Sequence, residues 1–203
     1  MDLSNSKEVI LALREGLEPI HRAGLLEDEH EQLYPSARNA SVLITLFEEH
    51  NENYLSFIRR ASTLRAHSGE IAFPGGAADV NDVSPIVTAL REAQEEIGLA
   101  PSRAEVLGIM PPVFTVVSNF LITPVVAYLP EGPGTLHLQA SEVSEIIFLP
   151  LQGLADPAIY HSEQWVRDDV AYTVYFYDYG SYRIWGATAR MLTMLLELLR
   201  DAY

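Results

Sequence analysis

Residues 84–98 restrict the fold of this chain more than any other stretch. Ser84 is a natural helix N-cap and Pro85 suits the first helical position, where its missing N–H costs nothing. Ile86, Leu90, Ala93 and Ile97 then recur at helical spacing as one apolar stripe, and Gly98 is placed to stop the helix. The other side carries Arg91, Glu92, Glu95 and Glu96. Three carboxylates at i, i+3 and i+4 repel one another unless a cation joins them, and a divalent metal ion is the most economical candidate. The pair Gly75-Gly76, preceded by Phe73-Pro74, lies just upstream. The chemistry to expect is metal-assisted, on a phosphate substrate.

The rest of the chain supplies layers for that helix. Ser4 to Glu15 has a helical apolar pattern ended by Gly16 and Pro19, and Glu27 to Glu31 is a charged connector. Ser41 to Phe47 and Leu55 to Arg60 are rich in strand formers and are separated by a polar turn around Asn51-Glu52-Asn53. Arg65 to Gly69 is a loop, and Glu70 to Phe73 a short strand running into the glycine pair. Further strands are expected at Glu105–Met110, Asn119–Leu129 and Glu145–Leu149, a hairpin at Val170–Phe176 and Tyr182–Trp185, and a last helix from Ala187 to Leu199. Irregular alternation of strands and helices gives an α/β class, a mixed sheet with helices on both faces.

Composition removes several classes. The 203 residues carry 28 acidic and 13 basic side chains, a formal net charge of −15, which disfavours nucleic acid as a partner. There is no cysteine, hence no disulfide framework and no thiolate ligand or nucleophile. No apolar run spans a membrane and Met1 to Arg14 does not read as a signal peptide, so a cytoplasmic protein is expected. Against this acidic background Arg59, Arg60, Arg65 and His67 cluster just before the glycine pair. The tyrosines of the hairpin (Tyr172, Tyr175, Tyr177, Tyr179 and Tyr182) read first as strand packing, with an acyl pocket or a homodimer interface left open.

Phe73-Pro74-Gly75-Gly76 followed by Arg91-Glu92-x-x-Glu95-Glu96-x-Gly98-Leu99 resembles the Nudix box, G-x5-E-x7-R-E-U-x-E-E-x-G-U with U aliphatic. The match departs upstream: residue 82 is Asp where the box has Glu, and Arg91 arrives one residue late. A loop absorbs the extra residue, and the role of residue 82 stays open. The resemblance implies a Nudix-type α/β/α sandwich around a central mixed sheet, with residues 1–35 an N-terminal helical extension and 36–203 the Nudix domain. It implies a pyrophosphatase using Mg²⁺ or Mn²⁺, held by Glu92 and Glu96 with help from Glu95 and the Gly75 carbonyl, while Arg91 keeps the carboxylates in register. The general base would be a box glutamate such as Glu95 or a downstream acid such as Glu142.

Arg60-Ala61-x3-Arg65-x3-Gly69-x3-Phe73-Pro74-Gly75-Gly76 resembles the motif preceding the box in coenzyme A pyrophosphatases of this superfamily, although Ser56-Phe57-Ile58 replaces its first three residues. Phe114-Thr115, Asn119 to Val125 and Ile184 to Arg190 look like later segments of that subgroup. The resemblance implies cleavage of coenzyme A or its thioesters into 3′,5′-ADP and (acyl-)4′-phosphopantetheine, with Arg60, Arg65, Gly69, Phe73 and Gly76 forming the substrate site. Forked arginine donors suit the phosphates, including the 3′-phosphate. Hydrolysis of ADP-ribose or a dinucleotide, or a non-catalytic nucleotide sensor, are the rival readings.

Overall fold

The computed structural model describes residues 2–23, 32–62, 68–167 and 169–202. The expected connector at Glu27–Glu31, Arg65 and His67 lie outside the described residues. Strands β1 (Arg38–Glu49) and β2 (Glu52–Arg60) pair antiparallel, turning through His50 and Asn51, which both have positive φ (52° and 60°). A two-residue turn of that kind matches the twist of its strands. Glu52 and Asn53 therefore belong to β2, which starts three residues earlier than the expected Leu55.

Beyond Leu46 and Leu55 the two strands part, and the next segment fills the gap. Strand β3 (Ile71–Ala72) pairs with β2, and β4 (Gly75–Ala77) pairs with β1. Helix α2 (Pro85–Ile97) then crosses to β5 (Glu105–Ile109) and β6 (Val113–Thr115), which both pair with β7 (Phe120–Tyr128). Strand β7 runs parallel to β1, and β8 (Val143–Pro150) adds antiparallel to β2 along its other edge. The result is a mixed eight-stranded sheet. A short helix α3 (Leu151–Leu154) leads to a separate three-stranded sheet of β9 (Tyr160–Arg167), β10 (Val170–Tyr179) and β11 (Tyr182–Trp185), and α4 (Gly186–Asp201) ends the chain.

Alternation along β1 builds both cores, because successive side chains of a strand point to opposite faces. Val42, Ile44 and Leu46 join Phe57, Phe73 and the inner stripes of α1 (Ser6–Gly16) and α4, including Val9, Leu13, Leu192 and Leu195. Leu43 and Phe47 face the other way and meet Ala89, Ala93 and Ile97 of α2. The expected sandwich, helices on both faces of a mixed sheet, is the observed one. The N-terminal helix shares the core with α4 and is pinned there by buried Asn53, which donates to the Leu3 carbonyl and accepts from the Ser6 hydroxyl. No helix among the described residues is long and apolar enough to cross a membrane.

Candidate active site

The site lies where β1 and β2 diverge, and α2 is built to serve it. Ser84 accepts from the Val87 amide, and Gly98 adopts a left-handed conformation (φ 69°) with its amide on the Gln94 carbonyl. These caps are those read from the sequence, and they fix the register of the helix against the sheet. The last carbonyls of α2 also receive the following segment: Gln139 N–H donates to the Glu96 carbonyl at 2.8 Å and His137 N–H to that of Ile97 at 3.0 Å. That segment carries Glu142 back toward the site, where its own carbonyl accepts from Ala61 N–H.

The three glutamates of α2 are not equivalent. Glu95 is largely exposed, Glu92 is mostly covered, and Glu96 is 1% exposed. Placing the whole group on the side opposite the apolar stripe therefore needs correction at Glu96. It follows Ala89 by seven residues and Ala93 by three, which places it on the buried stripe. Its Oε2 accepts from the Gly75 amide at 2.9 Å, and its Oε1 lies 3.6 Å from Arg60 Nη1. Burial lifts the Glu96 carboxyl to about 7, and the charges of Glu92 and Glu142 push the same way. Burial likewise raises Glu92, with Glu95 and Glu142 adding to it.

Close approach bears on both glycines of the pair, on Gly75 through backbone and on Gly76 through the Glu92 side chain. A Cβ on Gly75 would fall 2.3 Å from the Ser41 carbonyl oxygen, and one on Gly76 would fall 2.5 Å from the Glu92 carboxylate carbon. Any larger residue at 76 displaces Glu92, and any larger residue at 75 breaks the β1–β4 contact.

Arg91 sits at the centre of the charged cluster. It donates to Asp82 through Nε at 3.1 Å and Nη2 at 2.8 Å, to Glu92 at 2.8 Å, to Glu95 at 3.2 Å and to the Ala77 carbonyl at 3.1 Å. Asp82 answers the question its sequence position left open. Its side chain is 4% exposed and also accepts from Thr88 Oγ1 and the Asp79 amide, so it clamps the guanidinium against the glycine turn. The Arg91 hydrogen bonds hold the Asp82 carboxyl down at about 2, and Asp82 in turn raises Arg91 further above its already high value. Sequence reasoning had Arg91 keep the helix carboxylates in register but gave Asp82 no part in it. The missed signal was an acid shortly before the helix start, within reach of its second turn.

The predicted substrate residues divide. Arg60 is brought to Glu96, and its Nε is buried with no hydrogen-bond partner among the described residues. Gly69 (φ 73°) turns the chain back onto β2, its amide on the Arg60 carbonyl and its own carbonyl accepting from Arg59. Phe73 is 1% exposed and stacks on Phe57 at 4.7 Å, so it anchors the turn from the core and cannot meet a ligand. Arg59, the neighbour of Arg60, is committed elsewhere, to Glu145 at 2.9 Å and to the face of Tyr182.

The donor set suits a hard divalent cation. Every candidate ligand is oxygen, and two carboxylates, Glu92 and Glu96, are crowded and desolvated so that each resists ionisation, a cost that a cation between them removes. Among the described residues no three acidic or histidine side chains form a closed cage. Magnesium typically takes only one or two protein carboxylates and completes its shell with water and substrate phosphates.

A mixed sheet split by a glycine turn, with helix carboxylates beneath it, is the setting in which the residues resembling the Nudix box are placed. The NUDIX domain matches residues 37–168, and the chain belongs to the Nudix family. It is 38% identical over 167 residues to the uncharacterized Nudix hydrolase NudL of Photorhabdus laumondii, covering 82% of this chain and 88% of that one. It is 40% identical over 168 residues to the NudL of Salmonella newport, covering 82% and 84%. Among solved structures, a MutT/nudix family protein from Enterococcus faecalis aligns with 97% of this chain and 73% of its own at a TM-score of 0.52 and 15% identity. The Nudix hydrolase RenU of M. smegmatis aligns with 59% and 74% at a TM-score of 0.50 and 23% identity. Those two likenesses show the fold.

Proposed function

We propose that this chain hydrolyses the diphosphate bond of coenzyme A or its thioesters, releasing 3′,5′-ADP and (acyl-)4′-phosphopantetheine. The observation that carries the reading is the continuous run from Arg60 to Gly76, which resembles the coenzyme A subgroup and leads from an arginine with a buried, unpartnered Nε into the glycine turn above Glu96. Glu92 and Glu96 would hold Mg²⁺ or Mn²⁺, with Glu95 and the Gly75 carbonyl assisting. The ion, when bound, neutralises the diphosphate oxygens and makes water a better nucleophile at neutral pH.

The chain's own residues do the rest. Arg60 and Arg65 bind phosphate oxygens, and Gly76 lets the substrate approach the main chain. Asp82 and Arg91 fix the carboxylates in place. Water attacks one phosphorus, the bond from that phosphorus to the bridging oxygen breaks, and the water's proton passes to Glu142 or Glu95. Residues 1–35 extend the Nudix domain of residues 36–203, their helix completing the core beside α4.

Turnover of coenzyme A against its 3′-dephospho form tests the substrate. Wild-type protein with Mg²⁺ prefers coenzyme A, and Arg65→Ala erases that preference. Equal losses on both substrates sink the assignment.

A further inference from the structure

The glycine turn and the acidic cluster occupy one end of the sheet, and a second feature opens at the same end on the opposite face. A cavity of about 490 Å³ lies between β6, β10 and the first turns of α4, lined by Tyr34, Phe114, Thr173, Tyr175, Arg190 and Met194 among others. Phe114 and Arg190 come from two separate segments that the sequence singled out and that hydrolysis leaves without a task. Tyr34 stacks on Phe114 at 4.1 Å, nearly parallel. Half-buried Arg190 lies over the Tyr175 ring at 5.2 Å and donates to its hydroxyl at 3.4 Å. Among the described residues it forms no ion pair, in a protein with 28 acidic side chains. A partly desolvated guanidinium with one weak neutral partner is suited to an acceptor oxygen brought by a ligand.

Register gives the reach. Ala77, Ala40, Ile122 and Val113 form one row across β4, β1, β7 and β6. Ala77 directly follows Gly76, and Val113 lines the cavity. Three strand spacings separate the ends of that row, about 14 Å. Of the two groups on the diphosphate of coenzyme A, the adenosine is compact and joined through a single ribose. The pantetheine arm is long and flexible, carries two amides and ends in a thiol or thioester. The arm is the longer and more flexible of the two and reaches further from the glycine turn, and its amides supply the acceptors that Arg190 lacks, while Met194 and the aromatic rings suit its methylenes.

We propose that this cavity binds the distal half of the pantetheine arm, with Arg190 donating to an amide or thioester carbonyl. The identity of the ligand rests on the coenzyme A reading above. The test is calorimetric binding of two product molecules, 4′-phosphopantetheine and 3′,5′-ADP, to wild type, Arg190→Gln and Arg190→Lys in the presence of Mg²⁺. The expected result is a rise in the dissociation constant for 4′-phosphopantetheine of about tenfold in Arg190→Gln, the loss of one charge-assisted hydrogen bond. Arg190→Lys recovers part of it, and 3′,5′-ADP binds all three proteins alike, which also reports that they are folded. Unchanged 4′-phosphopantetheine binding, no saturable binding, equal weakening of both ligands or selective loss of 3′,5′-ADP overturns the proposal. Turnover separates the two claims. Coenzyme A cleavage without the Arg190 effect removes only the cavity's role, whereas arm binding without cleavage removes the proposed reaction.

Discussion

Arg91 and Arg190 sit on helices at opposite faces of one sheet, and their surroundings could hardly differ more. Arg91 donates to three carboxylates and a carbonyl, and every one of those partners belongs to the glycine turn, its loop or its own helix. Arg190 has an aromatic ring and one phenol. Formal charge is equal in the two, but availability to a ligand is not. A guanidinium saturated by protein acceptors is a structural brace, and a guanidinium with free donors beside a cavity is a recognition element. The same test separates Arg59, bound to Glu145, from Arg60, whose Nε has no partner among the described residues.

The contrast can be broken experimentally, beginning where the effect is largest. Glu96→Gln keeps the shape of a buried side chain but removes its charge, and kcat should fall by about 10²–10³-fold, the scale of losing one preorganised charge at a reacting centre. Unchanged Tm with lost activity marks a catalytic role, and a collapse of both marks a structural one. Asp82→Asn acts one step away. It should lower activity by about 10–100-fold, as expected for a partner that orients the residues at the metal, and should cost about 2 kcal/mol of stability in a denaturant titration.

That stability has a defined pH window. Asp82 has its folded value depressed from 3.8 to about 2, so the contribution of the ion pair is complete above 3.8 and is lost as pH falls toward 2. Wild type and Asp82→Asn should therefore differ in Tm at pH 6 and converge as the solution approaches pH 2. A gap that persists at low pH contradicts the ion-pair account. Thr88→Val removes one neutral hydroxyl from the same clamp and should cost only about 1 kcal/mol. Least affected should be the open sheet: Val166→Ser on β9, 70% exposed, should leave stability within about 0.5 kcal/mol.

Much of the acidic side was legible because its signals are local. Ser84, Pro85 and Gly98 specify α2 within a single stretch, and Gly75-Gly76 marks a close approach before the partner is known. Burial of Glu96 was also written in its spacing from Ala89 and Ala93, but Glu92 and Glu95 beside it grouped it with the acidic side. The clamp by Asp82 depends on how the loop folds back, which no periodicity encodes. Strand β9 escaped notice because Tyr160 to Arg167 is exposed along its whole length and shows no core-facing alternation; it is a strand because eight of its residues pair in register with β10. The cavity beside α4 was illegible for a related reason. Tyr34, Phe114, Thr173 and Arg190 come from four distant segments, and only the packing of α4 and the second sheet against β6 brings them together.

The central claim is that the carboxylates of α2 hydrolyse the diphosphate of coenzyme A with a divalent ion. Mass analysis of the products of coenzyme A incubated with wild type, with wild type plus a chelator, and with Glu96→Gln tests it in one set of reactions. The account predicts 3′,5′-ADP and 4′-phosphopantetheine from the first alone. Intact coenzyme A in all three, or the same products from Glu96→Gln at the wild-type rate, contradicts it.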